Sequence, residues 1–291
     1  MWIPLRYIYN QSIETGIVPH ILKVSQISPV YKGGDATDPS NYRPIATLSP
    51  FSKVLKRLVY NQLYSFIDKH QILYKYQFGL RKGYSTEQAI LEITDNLKLA
   101  TDKGQITCGL FLDLSKAFDT VKIIIKYCSL NYICMEFGVH HIIGLKVICK
   151  IKDNNYVKID STKSSYENIT CGIPQGSSLG PLLCLLYVSD LRNCVNKLSV
   201  QSLADDTNLF YSSNNLKQLE SVMNQELKQI YNNCALNKLS INTAKTNYML
   251  VSSSRCHPKI NITGIEQKDY IKYLGVYVDK HISIGNHRYN M

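Results

Sequence analysis

Three carboxylates stand where carboxylates are expensive. Asp113 ends the apolar run Leu110-Phe111-Leu112, and Asp205-Asp206 follows Leu203-Ala204 between two apolar flanks. Burying an ionised carboxylate is unfavourable unless something compensates its charge. Taken singly, each has a plain explanation: Asp113 caps the element that follows it, and Asp205-Asp206 are turn residues. Taken together they point to chemistry. Carboxylates brought to one sheet end by neighbouring strands offer oxygen ligands to two Mg²⁺ ions. Two such ions activate a hydroxyl and stabilise a leaving phosphate during in-line phosphoryl transfer.

The elements that must position these acids can be read from periodicity. Ile106–Leu114 is a strand, apolar almost throughout and so expected at the centre of a sheet. The flanks of Ala204-Asp205-Asp206-Thr207 predict a hairpin with the acids at its tip. Leu5, Ile8, Tyr9 and Ile13 recur at helical spacing up to Gly16, and Ile27–Tyr31 reads as a strand. Asp38 to Pro44 carries two prolines and reads as an extended loop. Val54, Leu55, Leu58, Val59, Leu63 and Phe66 mark one amphipathic helix, and Ala89, Ile90, Ile93, Leu97 and Ala100 a second. Residues 173–181 form a Gly/Ser/Pro loop ahead of an apolar helix over Leu182–Leu191. Leu216, Leu219, Val222, Met223, Leu227 and Ile230 predict a long surface helix, followed by short strands at Tyr248–Ser252 and Tyr273–Val278. Antiparallel strands with helices packed on one face make the fold class α+β.

Composition sets outer bounds. At 291 residues and 45% hydrophobic, the chain can bury a large core, which excludes wholesale disorder. Lys and Arg outnumber Asp and Glu by 33 to 22, and the net charge of +11 suits a polyanionic partner. Part of that excess matches codon bias, since Lys, Asn, Ile and the 21 Tyr share A/T-rich codons. No apolar stretch approaches the roughly 20 residues of a spanning helix, and no secretory leader opens the chain. The nine scattered cysteines, with no CxxC pair, suit a reducing compartment rather than a disulfide scaffold.

Eight segments, in order, resemble the reverse transcriptases of non-LTR (LINE-type) retrotransposons. They are Ile27–Asp35, Asn41–Ala46, Gln77–Thr86, Phe111–Asp119, Gly172–Ser177, Leu203–Asp206, Asn237–Thr246 and Lys272–Val276. The resemblance implies a right-hand polymerase of fingers and palm, with an N-terminal extension and fingers-like region over 1–105 and the palm over 106–291. The reverse transcriptase domain itself would span about 25–285, with little or no thumb before Met291.

Residue by residue, it implies that Asp113, Asp205 and Asp206 hold two Mg²⁺ ions (or Mn²⁺), and that Lys245 protonates the leaving pyrophosphate. Phe118 would pack under the incoming sugar, and Gln175-Gly176 would lie against the nascent base pair. Arg43, Arg81 and Lys82 would hold the nucleotide's triphosphate, a task suited to a guanidinium fork. Tyr273, Leu274 and Gly275 would grip the primer end.

The reaction implied is RNA-directed DNA polymerisation: transfer of nucleotides from dNTPs to a DNA primer on an RNA template, in the nucleus or a cytoplasmic ribonucleoprotein. The chain departs from the family pattern at Leu80, Leu203 and Asn233, and resembles it poorly over Val121–Ser161. With no endonuclease segment ahead of it, it reads as a partial or decayed copy of an element. The alternative is therefore a nucleic-acid-binding remnant without turnover.

Overall fold

The computed structural model describes residues 2–115, 154–168, 172, 176–204, 206–253, 258–282 and 284–285. Elements are numbered along the chain among these residues. The chain divides into two compact units, one of Met1–Leu73 with Phe118–Tyr187 and one of Tyr74–Ala117 with Val188–Met291.

In the first unit, α1 (Trp2–Thr15) ends where expected. Gly16 takes a positive φ of 70° and its N–H caps the Ser12 carbonyl. Strand β1 (Val24–Tyr31) pairs antiparallel with β2 (Tyr42–Leu48). The proline-rich segment is thus not all loop. Asp38 caps a single 3₁₀ turn over Pro39–Asn41, and the chain then enters β2, where Pro44 faces Pro29 across the ladder. Extended backbone is what both proline rings favour, and a strand supplies it.

On its other side β1 pairs in parallel with β5 (Asn154–Ile159), which also carries the short strands β6 (Thr162–Lys163) and β7 (Glu167–Asn168). Helix α2 (Pro50–Lys69) starts on a Ser49 cap with Pro50 in its first turn. Its buried stripe is Leu55, Val59, Leu63 and Ile67, while Val54 and Leu58 are exposed. The expected apolar face is therefore wider than the one that packs.

The second unit is built on a five-stranded sheet in the order β12-β11-β3-β9-β8. These strands are β3 (Ile106–Leu112), β8 (Ser199–Leu203), β9 (Asp206–Ser213), β11 (Asn247–Val251) and β12 (Glu266–Gln267). The β3 strand is central and antiparallel to both neighbours. It stops at Leu112, and after Asp113 the backbone resumes as β4 (Leu114–Ser115), paired with β10 (Ser240–Ile241).

Helix α3 (Thr86–Asp102), opened by a capping box between Ser85 and Gln88, lays Ile93 and Leu97 against Met249 and Val251. The hairpin of β13 (Tyr270–Tyr273) and β14 (Val276–Asp279) joins the same apolar cluster through Ile271, Tyr273 and Val278. A last short strand, β15 (Ile284–Gly285), pairs with β14. One strand expected over Tyr273–Val278 is therefore two, because Leu274 (φ 50°) and Gly275 (φ 90°) form a turn between them.

The alternate sheet positions Cys108, Leu110, Leu209, Tyr248 and Leu250 are buried as well. The long helix α5 (Leu216–Leu236) packs on β3 and β9, and its Glu220 lies near enough to act electrostatically on Tyr248. Preceding it in sequence, α4 (Gly180–Val188) is apolar and gives way to a 3₁₀ turn at Ser189, earlier than expected. Among the described residues no helix is long and apolar enough to cross a membrane.

Candidate active site

Asp113 occupies the break between β3 and β4, and one short segment holds it from three sides. Its N–H donates to Thr246 Oγ1 (3.3 Å) and its carbonyl accepts the Asn242 N–H (2.8 Å). Its carboxylate Oδ2 accepts from Asn242 Nδ2 at 3.4 Å and lies 3.8 Å from Lys245 Nζ. The segment is itself folded onto Asn242, whose carbonyl accepts the N–H groups of Lys245 and Thr246. Thr246 is buried, whereas Lys245 is 73% exposed. The Asp113 side chain remains 33% exposed, so a carboxylate in a supported position still meets solvent.

Strands β8 and β9 form the expected hairpin, closing on the Leu203–Asp206 pair. The β3–β9 ladder ends on the Leu112–Thr207 pair, so Asp113 follows β3 and Asp206 opens β9 at the same end of the sheet. Carboxylates gathered at one sheet end repel one another. The site thus favours a cation, whether Lys245 or a metal, and its oxygen donors suit a hard one. Among the described residues no group of three His, Cys, Asp or Glu side chains could hold a metal; Asp205 lies outside them, as do Phe118 and Gln175.

Ala204 adopts φ 58°, a left-handed conformation that few non-glycine residues take. The segment Tyr76–Gly79 braces it. Phe78 N–H donates to the Ser202 carbonyl (2.8 Å) and Ser202 N–H to the Tyr76 carbonyl (3.0 Å). Gln77, buried to 1% exposure, accepts the N–H groups of Ala204 and Gly79 on Oε1, both at 2.9 Å. Its Nε2 donates to the Ala204 carbonyl at 3.4 Å. A Cβ on Gly79 would sit 2.1 Å from the Ala204 nitrogen, so only glycine fits there.

Other expected site residues are placed as follows. Arg81 spends its Nη1 on the carbonyls of Tyr74 (3.1 Å) and Gln77 (3.4 Å) and lies over the Tyr84 ring, while Lys82 is exposed. Tyr273 is 4% exposed and packs edge-on against Phe111, while in the turn that follows Leu274 rests partly on the same core and Gly275 is exposed. Burial raises the Tyr273 pKa, and the negative charge of Asp206 raises it further. The neighbouring Asn208 amide favours the phenolate slightly, but neither Tyr273 Oη nor Asn208 Nδ2 completes a hydrogen bond among the described residues.

In the first unit, Arg43 is exposed on β2, and Gly176 (φ 101°) approaches β2 so closely that a Cβ would lie 2.9 Å from the Ala46 carbonyl. Asn242, Thr246 and Gln77 were not singled out as site residues from sequence. All three sit inside family-like segments, and that was their only signal.

Residues 30–278 match the family described as reverse transcriptase (RNA-dependent DNA polymerase). The chain is 31% identical over 301 residues to a Drosophila melanogaster protein named "Probable RNA-directed DNA polymerase from transposon BS", covering 97% of this chain and 32% of that protein. It is 27% identical to the "RNA-directed DNA polymerase from mobile element jockey" of the same species, covering 99% of this chain and 32% of the relative. The chain therefore spans about a third of the length of these curated relatives.

Among solved structures, apo telomerase of Candida tropicalis, truncated from its C-terminal domain, superposes with a TM-score of 0.60 at 14% identity. It covers 98% of this chain and 59% of that one. Telomerase of Candida albicans superposes with a TM-score of 0.57 at 12% identity, covering 100% and 50%. Likeness at that identity carries the fold, and with it the α+β right-hand architecture expected from sequence. Family and fold agree: the chain belongs to the reverse transcriptase (RNA-dependent DNA polymerase) family.

Proposed function

We propose that this chain carries the polymerase core of a non-LTR retrotransposon's RNA-directed DNA polymerase. The core adds nucleotides from dNTPs to a DNA primer 3′-OH on an RNA template. The observation that carries the reading is the placement of Asp113 and Asp206 beside the last pair of the β3–β9 ladder, with Lys245 3.8 Å from Asp113. Asp113, Asp205 and Asp206 would hold two Mg²⁺ ions, or Mn²⁺ in their place. Those ions supply charge neutralisation for attack of the primer hydroxyl and departure of pyrophosphate.

The chain's own residues do the rest. Asn242 and Thr246 hold the Asp113 backbone and carboxylate in place. Lys245, mostly exposed beside Asp113, is free to swing toward a leaving phosphate oxygen and give it a proton. Phe118 would select the deoxyribose, Gln175-Gly176 would bound the base pair, and Arg43, Arg81 and Lys82 would neutralise phosphates. For Arg81 this requires Nη1 to leave the Tyr74 and Gln77 carbonyls, or the rest of its guanidinium to serve. The Leu274-Gly275 turn, rather than the buried Tyr273 ring, is the part of the hairpin suited to touch a primer backbone. The protein would work inside the cell, in the nucleus or a cytoplasmic ribonucleoprotein.

Primer extension on an RNA template by the purified chain, beside an Asp205→Ala control, tests the reading. Metal-dependent extension by the first and none by the second is expected. Tight, salt-sensitive binding of an RNA–DNA hybrid with no extension at any Mg²⁺ or Mn²⁺ concentration would favour a binding remnant instead.

A further inference from the structure

We infer that Gln77 is a positioning residue for the acidic pair: it sets the conformation of Ala204, the residue from which the chain runs into Asp205-Asp206. The inference rests on the reading of those two aspartates as metal-holding, and concerns a residue that touches neither metal nor substrate.

Two-residue hairpin turns normally secure positive φ with glycine or asparagine, whose backbones tolerate it. This turn has alanine at that position, and the conformation is imposed from outside. One buried amide occupies both backbone polar groups of Ala204, taking its N–H and donating to its carbonyl, as a strand partner would. The same Oε1 also takes the Gly79 N–H, which locks the Gln77 side chain to its own segment. That segment is in turn registered on β8 by the Phe78–Ser202 and Tyr76–Ser202 hydrogen bonds. Gly79 leaves no clearance, since any Cβ would collide with the Ala204 nitrogen. The two Gln77 amide bonds and the Gly79 contact meet at Ala204, the residue immediately before Asp205, and the rest hold the Tyr76–Gly79 segment in place behind it. A side chain spent on β8 alone would hold the hairpin; this one holds its turn.

The test uses Gln77→Met, which keeps the length and apolar stem but none of the three hydrogen bonds, and Gly79→Ala, which pushes on Ala204 by a different route. Mn²⁺ affinity is read by electron paramagnetic resonance of the free ion, alongside kcat and KM for primer extension and Kd for an RNA–DNA hybrid. Both variants should bind Mn²⁺ and turn over about 10–100-fold less well, as when groups that orient metal ligands are removed. Hybrid Kd and dNTP KM should stay within about threefold, well short of that loss.

A folded Gln77→Met with wild-type Mn²⁺ affinity and kcat would overturn the inference. If that variant does not fold, Gly79→Ala with wild-type Mn²⁺ affinity does the same. Failure of the underlying reading looks different: wild type and Asp205→Ala would then bind Mn²⁺ equally, and both proposals would fall together.

Discussion

Asp113 leaves β3 one residue past the Leu112–Thr207 pair, and Asp206 enters β9 one residue before it, so both acids adjoin the last rung of the ladder. Without a divalent cation, repulsion between carboxylates gathered at one sheet end costs up to about 1 kcal/mol. Asp113→Asn should therefore leave stability in EDTA unchanged or raise it by up to that amount, measured by urea unfolding. Extension should fall by about 100-fold or more, at or beyond the loss typical of groups that merely orient ligands. Mg²⁺ should raise the wild-type melting temperature more than the variant's. A variant clearly destabilised in EDTA would mean that the carboxylate serves the fold through Asn242.

Lys245 separates structure from catalysis more cleanly. Its ion pair with Asp113 is long at 3.8 Å and its side chain 73% exposed, so the pair adds little stability. Lys245→Ala should melt close to wild type yet lose about 100-fold or more in kcat, the range of a general acid. Hybrid affinity should barely change. Unaltered kcat would remove Lys245 from the reaction.

Gly176 and Gly33 both have positive φ, but a Cβ on Gly33 meets nothing within 4 Å, whereas on Gly176 it meets the Ala46 carbonyl at 2.9 Å. Gly33→Ala should cost about 1–2 kcal/mol through backbone conformation alone. Gly176→Ala should cost more, since a backbone carbonyl in a strand cannot give way easily. Equal losses in denaturant titrations would show that the contact is relieved at no cost.

Tyr273 has a buried hydroxyl with no hydrogen-bond partner among the described residues. Tyr273→Phe should consequently be neutral or stabilising by about 1 kcal/mol, since it removes a desolvated polar group and keeps the ring on Phe111. Burial first, and Asp206 second, hold the Tyr273 pKa above the ordinary 10.0. A raised acid pKa contributes stability that is complete below the unfolded value and lost as pH climbs above it. Wild type should therefore lose stability relative to Tyr273→Phe as pH rises past about 10, read by paired urea titrations across that range. Parallel pH profiles would contradict the assigned environment.

Local pattern made much of this protein legible. Helix α1 runs to its glycine cap, α3 buries Ala89, Ile93, Leu97 and Ala100, β3 is central, and Asp206 closes a hairpin with Leu203. Each follows from side-chain periodicity or turn chemistry within a dozen residues. Order of motifs carried the family further than any single site could, because an Asp-Asp pair alone is only a turn.

What the sequence could not decide is what lies across from what. Val54 and Leu58 share helical phase with the α2 core face yet remain exposed, because burial depends on which neighbour arrives. Tyr273 reads as a contact residue and proves to be core, its ring captured by Phe111 from a distant strand. The Asn242 grip on Asp113 spans 129 residues and the Gln77 grip on Ala204 spans 127. Periodicity reports how one segment meets solvent, and it carries no trace of a hydrogen bond closed over such a distance. The residue types capable of the chemistry were therefore written in the chain, but the meeting of Asp113 and Asp206 at one end of β3 and β9, and the brace behind Ala204, came only from tertiary packing.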